Sequence, residues 1–300
     1  MTIVESSEHD LSAEQTPVPR TVVVTGASRG AGKGIALALA QPGTTIYVTG
    51  RTSRSGEASL PGTVFETVRL IEERGGKGVA VVCDHGDDEQ VRQLFERVER
   101  DSGSLDILVN NACAVPEGLT DAQPFWEKSL RQLDIIDVGM RSHYVSSYFA
   151  APLLVKQSGS LIVHTSSAGG RCYMHGPAYG GGKAAVDKFA NDMAVDFRAH
   201  GVACVSLWMG LMSTERTQAL MAHEPAKYGG MEAMCESPEF PGRVIDALWC
   251  DRQLMGKSGL ILVAAQQALE YGITDIDGSQ PSSPTGYLGE PAQANPAIVE

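Results

Sequence analysis

The chain has 300 residues, 43% of them hydrophobic and 20% charged, with a net charge of −12. That supplies material for one large core in an ordinary globular balance, and leaves too acidic a surface to neutralise a run of nucleic-acid phosphates. No stretch reaches the roughly 18 uninterrupted apolar residues of a membrane span. The acidic start MTIVESSEHDLSAEQ lacks the order of a secretion signal, and the six cysteines form no CxxC pair and no Cys/His cluster. A reduced, cytoplasmic protein without disulfides or structural zinc is expected.

Residues 1–18 are polar and end in Thr16-Pro17-Val18-Pro19, which predicts a flexible tail. From 19 to 279 a short apolar run, a turn signal and a helical stretch alternate. The apolar runs are 21–25, 45–49, 78–83, 105–109, 160–164, 202–208 and 259–263. Most are continuous Val, Ile, Leu and Ala, as strands buried on both faces of a parallel sheet must be. Between them the spacing is helical: Val91, Leu94, Phe95 and Val98 share one face, and Asp87 is placed to cap it. The alternation predicts a single α/β domain whose doubly wound sheet of seven parallel strands is flanked by helices.

The first run leads straight into Thr25-Gly26-Ala27-Ser28-Arg29-Gly30-Ala31-Gly32-Lys33-Gly34. Glycines in this place let the backbone turn and approach a pyrophosphate held at the N-terminus of the next helix. A Gly-rich turn that binds nothing is the plainer alternative, and the position after the first strand argues against it. The second run ends Val48-Thr49-Gly50-Arg51-Thr52-Ser53. A carboxylate there would take the ribose 2′-hydroxyl of NAD, whereas an arginine accommodates the 2′-phosphate of NADP. Arg51, with Arg29 as a second guanidinium, favours NADP(H) over NAD(H); the alternative is two solvated surface arginines.

Of eight tyrosines, only Tyr179 is followed four residues later by a lysine, Lys183. At that spacing the two share a helix face, so the ammonium can sit beside the phenol and favour its phenolate. Ser166-Ser167 end the fifth run upstream. The TGxxxGxG turn, Asn110-Asn111-Ala112 and this Ser/Tyr/Lys set together resemble the short-chain dehydrogenase/reductase family over roughly residues 20–280. Residues 138–144, Tyr179-Gly180-Gly181-Gly182-Lys183, Ser206-Leu207-Trp208 and 271–278 are similar to one branch of it, that of dehydrogenase/reductase family member 1.

The resemblance implies a Rossmann fold in which Ser167, rather than Ser166, polarises a substrate oxygen. Tyr179 would exchange the proton, and Lys183 would hold the nicotinamide ribose. It further implies that Gly26, Ser28, Arg29, Gly30 and Gly32 bind the cofactor and that the segment of Asn110 and Ala112 supports the strand ends and lies against it. Gly210 and Thr214 would lie by the nicotinamide. Asp84 would meet the adenine or serve as a helix cap.

The chain departs from the family pattern at several points. Cys113 replaces the glycine of NNAG, Gly139 stands where relatives carry an asparagine, and Met209-Gly210 replaces Pro-Gly. Three glycines between Tyr179 and Lys183 weaken a helix, for which close approach of cofactor or substrate is the expected reason. Residues 211–237, with Met212, Leu220, Met221, Met231 and Met234, read as a substrate lid with an adaptable apolar wall, or as a segment that simply packs on the core. Cys172, Tyr173 and His175 are candidates for the pocket wall beside their simpler reading as loop residues. Residues 280–300 read as a tail. By analogy, a long helix around 125–157 and the helix from Tyr179 form the interface of a homodimer or homotetramer.

The expected activity is interconversion of a carbonyl and an alcohol by hydride transfer, with NADP(H) and a small-molecule substrate. A nucleotide-binding sensor or scaffold without turnover is the alternative, motivated by Gly139 and the glycine-loosened helix.

Overall fold

The computed structural model describes residues 19–299, so the tail expected over 1–18 lies outside the described residues. Strand and helix alternate through β1 (Arg20–Val24), α1 (Gly30–Ala38), β2 (Thr44–Gly50), α2 (Val64–Glu73), β3 (Lys77–Val82), α3 (Asp88–Ser102), β4 (Ile107–Asn110) and α4 (Ser142–Leu154). They continue through β5 (Leu161–Ser166), α5 (Pro177–Phe197), β6 (Ala203–Trp208), α6 (Glu215–His223), α7 (Phe240–Cys250), β7 (Ile261–Val263) and α8 (Ala264–Tyr271). The seven strands form one parallel sheet in the order β3-β2-β1-β4-β5-β6-β7. Each expected apolar run holds a strand, with ends shifted by a residue or two.

Continuous apolar strands are explained by the two cores they feed. On one face Val22, Val24, Ile46 and Val163 pack with Ile35 and Leu39 near α1 and Val244, Ile245 and Leu248 of α7. On the other, Val23, Leu108, Ile162 and Cys204 pack with Val91, Leu94, Phe95 and Val98 of α3 and with Leu153 and Phe197. Asp87 caps α3, its carboxylate accepting from the N–H groups of Glu89 and Gln90.

No continuous helix spans 125–157. Turns at Phe125–Glu127 and Leu130–Leu133 and a short helix at Asp134–Ile136 precede a break, and only from Ser142 is the helix regular. The break has a local cause. The Val138 carbonyl accepts from Ala114 N–H at 2.7 Å instead of continuing a helical ladder, and Gly139 takes φ +142°, a region that favours glycine.

Residues 211–237 contain α6, a short helix at Pro225–Tyr228 and a turn at Glu232–Met234, and a Met212–Glu236 bridge pins the ends of this segment together. Near the C-terminus, Thr285–Leu288 forms a helical turn whose Leu288 rests on Trp208 and Val263. Among the described residues no helix is long and apolar enough to cross a membrane.

Candidate active site

The C-terminal ends of the strands open into a cleft of about 1420 Å³, where ligands bind in open α/β sheets. At one end it is lined by Gly26, Ser28, Arg29, Gly30 and Gly32. A Cβ at Gly32 would run into the Gly26 carbonyl oxygen and the Asn111 side chain, so the turn can close only around glycine. Asn111 and Ala112 donate backbone N–H groups to Thr25 Oγ1 at 2.8 and 2.9 Å, and Asn111 Nδ2 donates to the Thr25 carbonyl at 2.9 Å. These bonds tie the end of β4 to the end of β1. Asn110 points away from the cleft, fully buried, with Nδ2 donating to Ser147 Oγ at 2.9 Å.

The two arginines differ in freedom. Arg29 Nε donates to the Pro61 carbonyl at 2.9 Å, and its Nη2 donates to Gly62 O and Thr52 Oγ1 at 2.8 and 3.1 Å. Its guanidinium thus organises the loop after β2. Arg51 is 73% exposed at its side chain, with its nearest carboxylate, Asp84, at 3.9 Å. Asp84 does not cap α3; its Oδ1 accepts from Gly86 N–H at 2.9 Å, and both residues line the cleft.

At the other end, α5 begins at Pro177 and carries Tyr179 and Lys183 on one face. Ser167 Oγ and Tyr179 Oη are 2.8 Å apart, while Ser166 is buried in the strand. Lys183 is buried, donates to the Thr165 carbonyl at 3.1 Å, and lies 5.8 Å from the centre of the Tyr179 ring. His175, held at φ +59°, sets its ring edge-on to Tyr179 at 5.1 Å. Burial, with Lys128 and Lys227 nearby, pushes its imidazole below the usual range. Tyr173 is exposed, and Cys172 packs against the Trp208 cluster.

Two of the three glycines of this helix face the chain's own atoms. Gly182 faces Ile136 and Met140 of the broken segment, and Gly180 faces the Gly169 carbonyl, while a Cβ at Gly181 would meet open space. Cys113 and Gly139 are also neighbours: a Cβ at Gly139 would come within 3.1 Å of Cys113 Sγ. The thiol occupies room that a longer side chain at 139 would need.

The segment after β6 contributes two carboxylates that sequence reading missed. Glu215, at the start of α6, accepts from Gly30 N–H at 2.9 Å, across the N-terminus of α1. Glu236 accepts from Gly210 N–H at 3.0 Å. Burial pushes the Glu236 carboxyl up to about 8, against the pull of that N–H and with Asp275 adding repulsion. The Gly210 amide is therefore engaged, and Met209, Met212, Thr214, Glu215 and Arg216 are the residues from this stretch that line the cleft. Thr214 also caps α6. Of the methionines expected to form an apolar wall, Met221 is buried and Met234 is exposed.

A profile of the family described as short chain dehydrogenase matches residues 20–225. The mouse protein Dehydrogenase/reductase SDR family member 1 is 42% identical over 267 residues, covering 85% of this chain and 83% of its own. Its human namesake is 40% identical over 271 residues, with the same coverage of 85% and 83%. In fold, a short chain dehydrogenase from Mycobacterium thermoresistibile superposes with a TM-score of 0.72 at 24% identity, covering 88% of this chain and 93% of that one. With the profile spanning β1 to β6, the glycine turn and the Ser/Tyr/Lys constellation, the chain belongs to the short-chain dehydrogenase/reductase family of oxidoreductases, in the branch of family member 1.

Proposed function

We propose that the protein is an NADP(H)-dependent carbonyl reductase or alcohol dehydrogenase in which Tyr179 is the general acid and base. The observation that carries this reading is the 2.8 Å contact of Ser167 Oγ with Tyr179 Oη, beside a buried lysine and at the edge of the cleft. The dinucleotide fits the residues present. Gly26, Gly30 and Gly32 present backbone without side chains to the cleft, and Arg51 offers an exposed guanidinium at the end of β2. Thr52, also lining the cleft, sets its hydroxyl against the Arg29 guanidinium. Arg29 supports the phosphate end through its hold on the loop at Thr52, Pro61 and Gly62.

When bound, the nicotinamide supplies or accepts the hydride. Ser167 donates to the substrate oxygen and orients it toward Tyr179. Tyr179 delivers its proton to that oxygen in reduction and removes it in oxidation. Lys183, held by the Thr165 carbonyl, keeps a positive charge beside the phenol and favours its deprotonated form between the two steps. Ala112, Thr214 and Met212 bound the space around the reacting centre. The His175 ring packs edge-on against Tyr179. Exposed Tyr144 and Tyr148 on α4 and Val195 on α5 support self-association as a dimer or tetramer.

The test is NADPH oxidation by purified protein against a panel of aldehydes, ketones and quinones. Turnover of at least one class is expected, and Tyr179→Phe should lower kcat on it by about 100-fold or more without weakening NADPH binding. Tight NADPH binding with no turnover across the panel would overturn the reading. Arg51→Asp should weaken NADPH far more than NADH; equal loss of both removes Arg51 from the phosphate site.

A further inference from the structure

The loop leading from β5 into α5 holds one residue in a conformation that few side chains adopt. His175, at φ +59°, is the only non-glycine with a positive φ among the described residues, in a region where glycine would sit without strain. Strain of this kind persists where the surroundings fix a side chain in place. Here they fix the imidazole edge-on to Tyr179, with ring centres 5.1 Å apart. Beyond His175 lies a side pocket of about 380 Å³. It shares Asp121, Gln123 and Lys128 with the wall of the main cleft, so the two spaces adjoin. Only Ala122 and Pro124 of its lining are apolar, and no methionine takes part. The segment after β6 closes over it: Tyr228, ending the short helix Pro225–Tyr228, donates its hydroxyl to Thr120 Oγ1 at 3.4 Å.

The charges around this pocket do not balance. Lys128 is half-buried between two turns, and its Nζ donates to the Leu119 carbonyl at 2.8 Å. That neutral carbonyl is the one partner of its ammonium among the described residues. Lys227, on the short helix, shares its charge with Glu224 at 3.5 Å. The carboxylate in the pocket wall, Asp121, turns its Oδ2 over Gly118, 3.0 Å from where a Cβ would stand. His175 feels the result: burial, Lys128 and Lys227 hold its imidazole below the usual range, and no carboxylate raises it. A neutral imidazole donates at one nitrogen. An N–H and an ammonium without a carboxylate suit an acceptor that carries negative charge.

We propose that this side pocket receives a carboxylate of the substrate, held by Lys128 and His175, so that the protein acts on oxo acids and the matching hydroxy acids rather than on neutral lipophilic carbonyl compounds. The inference rests on the reductase reading above and adds the substrate class to it. With its carboxylate in the side pocket, the substrate reaches back past His175 and sets its carbonyl against Ser167 Oγ and Tyr179 Oη, themselves 2.8 Å apart. Lys128 supplies the charge, which half-burial shields from salt better than full exposure would. His175 supplies an N–H fixed in direction by its backbone and by Tyr179. The selection is local. A net charge of −12 repels anions from the molecule as a whole, and Lys128 and Lys227 reverse that sign at one place beside the reacting hydroxyls.

The test uses the full chain and pairs of carbonyl acids with their methyl esters, para-formylbenzoate and its ester among them, with the carboxylate at graded distances from the carbonyl. With NADPH, kcat/KM for the acid should exceed that for its ester by about 10-fold or more in at least one pair. The excess should shrink as ionic strength rises. Lys128→Gln removes the charge and keeps a donor for the Leu119 carbonyl, and the acid-to-ester ratio should fall to near one. Lys128→Arg should keep most of the preference. Each ratio is taken within one variant, so a loss of folded protein does not move it. A wild-type ratio near one in every pair, or an unchanged ratio in Lys128→Gln, would overturn the proposal. Calorimetric titration of the NADP+-loaded wild type gives a readout without turnover: an acid binding about 10-fold tighter than its ester supports the subsite, and equal affinities in every pair overturn it. If nothing in the panel is reduced, the reductase reading fails and the titration alone decides the subsite. Reduction of acids and esters with equal efficiency defeats the subsite and leaves the reductase reading standing.

Discussion

Glu236 is 3% exposed, and burial raises its carboxyl from 4.5 to about 8. Between those values the folded chain holds a proton that the unfolded chain has released. The resulting stability is fully present below about pH 4.5 and drains away as pH rises through about 8. The buried histidines act with the opposite sign. His85 and His164 are pushed from 6.5 down to about 4 and about 3, so their contribution is present above 6.5 and lost as pH falls. The thermal midpoint is therefore expected to peak near pH ~6.5 and to decline on both sides. Glu236→Gln should flatten the decline between about pH 6.5 and pH 8 and, with its opposing slope gone, steepen the loss from about pH 6.5 down to about pH 4.5. Thermal unfolding of both proteins across this range checks it, and an identical alkaline decline in the variant would remove Glu236 as its cause. The exchange at 139 is likewise more than one side chain: an asparagine there would sit at φ +142° and press on Cys113 Sγ. The two departures from the family pattern, Cys113 and Gly139, are thus one spatial substitution.

Among the elements, α6 has the most direct hold on the cofactor end of the cleft. Its Glu215 carboxylate sits at the N-terminus of α1, where the helix dipole and free N–H groups attract anions. A pyrophosphate entering the glycine turn meets that negative charge. Glu215→Gln keeps an acceptor for Gly30 N–H and removes the charge, so NADPH affinity should rise by roughly 2–5-fold at low salt and by less at high salt. Fluorescence titration with NADPH at two ionic strengths measures this, and an unchanged Kd would show that α6 and the phosphates do not compete. The sequence carried no sign of this contact, because Glu215 and Gly30 are 185 positions apart and a lone glutamate beginning a helix is ordinary. Strands were legible because burial on two faces demands uninterrupted Val, Ile and Leu, and Tyr179 with Lys183 was legible because both lie on one helix face. The broken segment before α4 was not, since its kink depends on Ala114 N–H, which no local pattern announces. His164 was equally silent: it stands alone in an apolar strand, and only strand register sets Asn110 beside it.

At the scale of the whole molecule, the order β3-β2-β1-β4-β5-β6-β7 places the first strand in the interior of the sheet. Synthesis of such a chain adds strands outward from β1, first toward β3 and then, from β4, in the other direction. Every new strand on that second side covers the edge left by its predecessor and presents a fresh one. Unpaired apolar edges invite pairing with other chains, and that hazard persists at β4, β5 and β6 in turn. It ends with β7, which has only three residues, Ile261–Val263, and is followed at once by α8. A chain ending at residue 258 would leave the six residues Ala203–Trp208 as an open apolar edge, and is expected to be recovered as aggregate where the full chain is soluble. A soluble, monodisperse truncation would refute this. The short last strand thus acts as a stopper, and the growing chain remains adhesive until the ribosome has passed Val263.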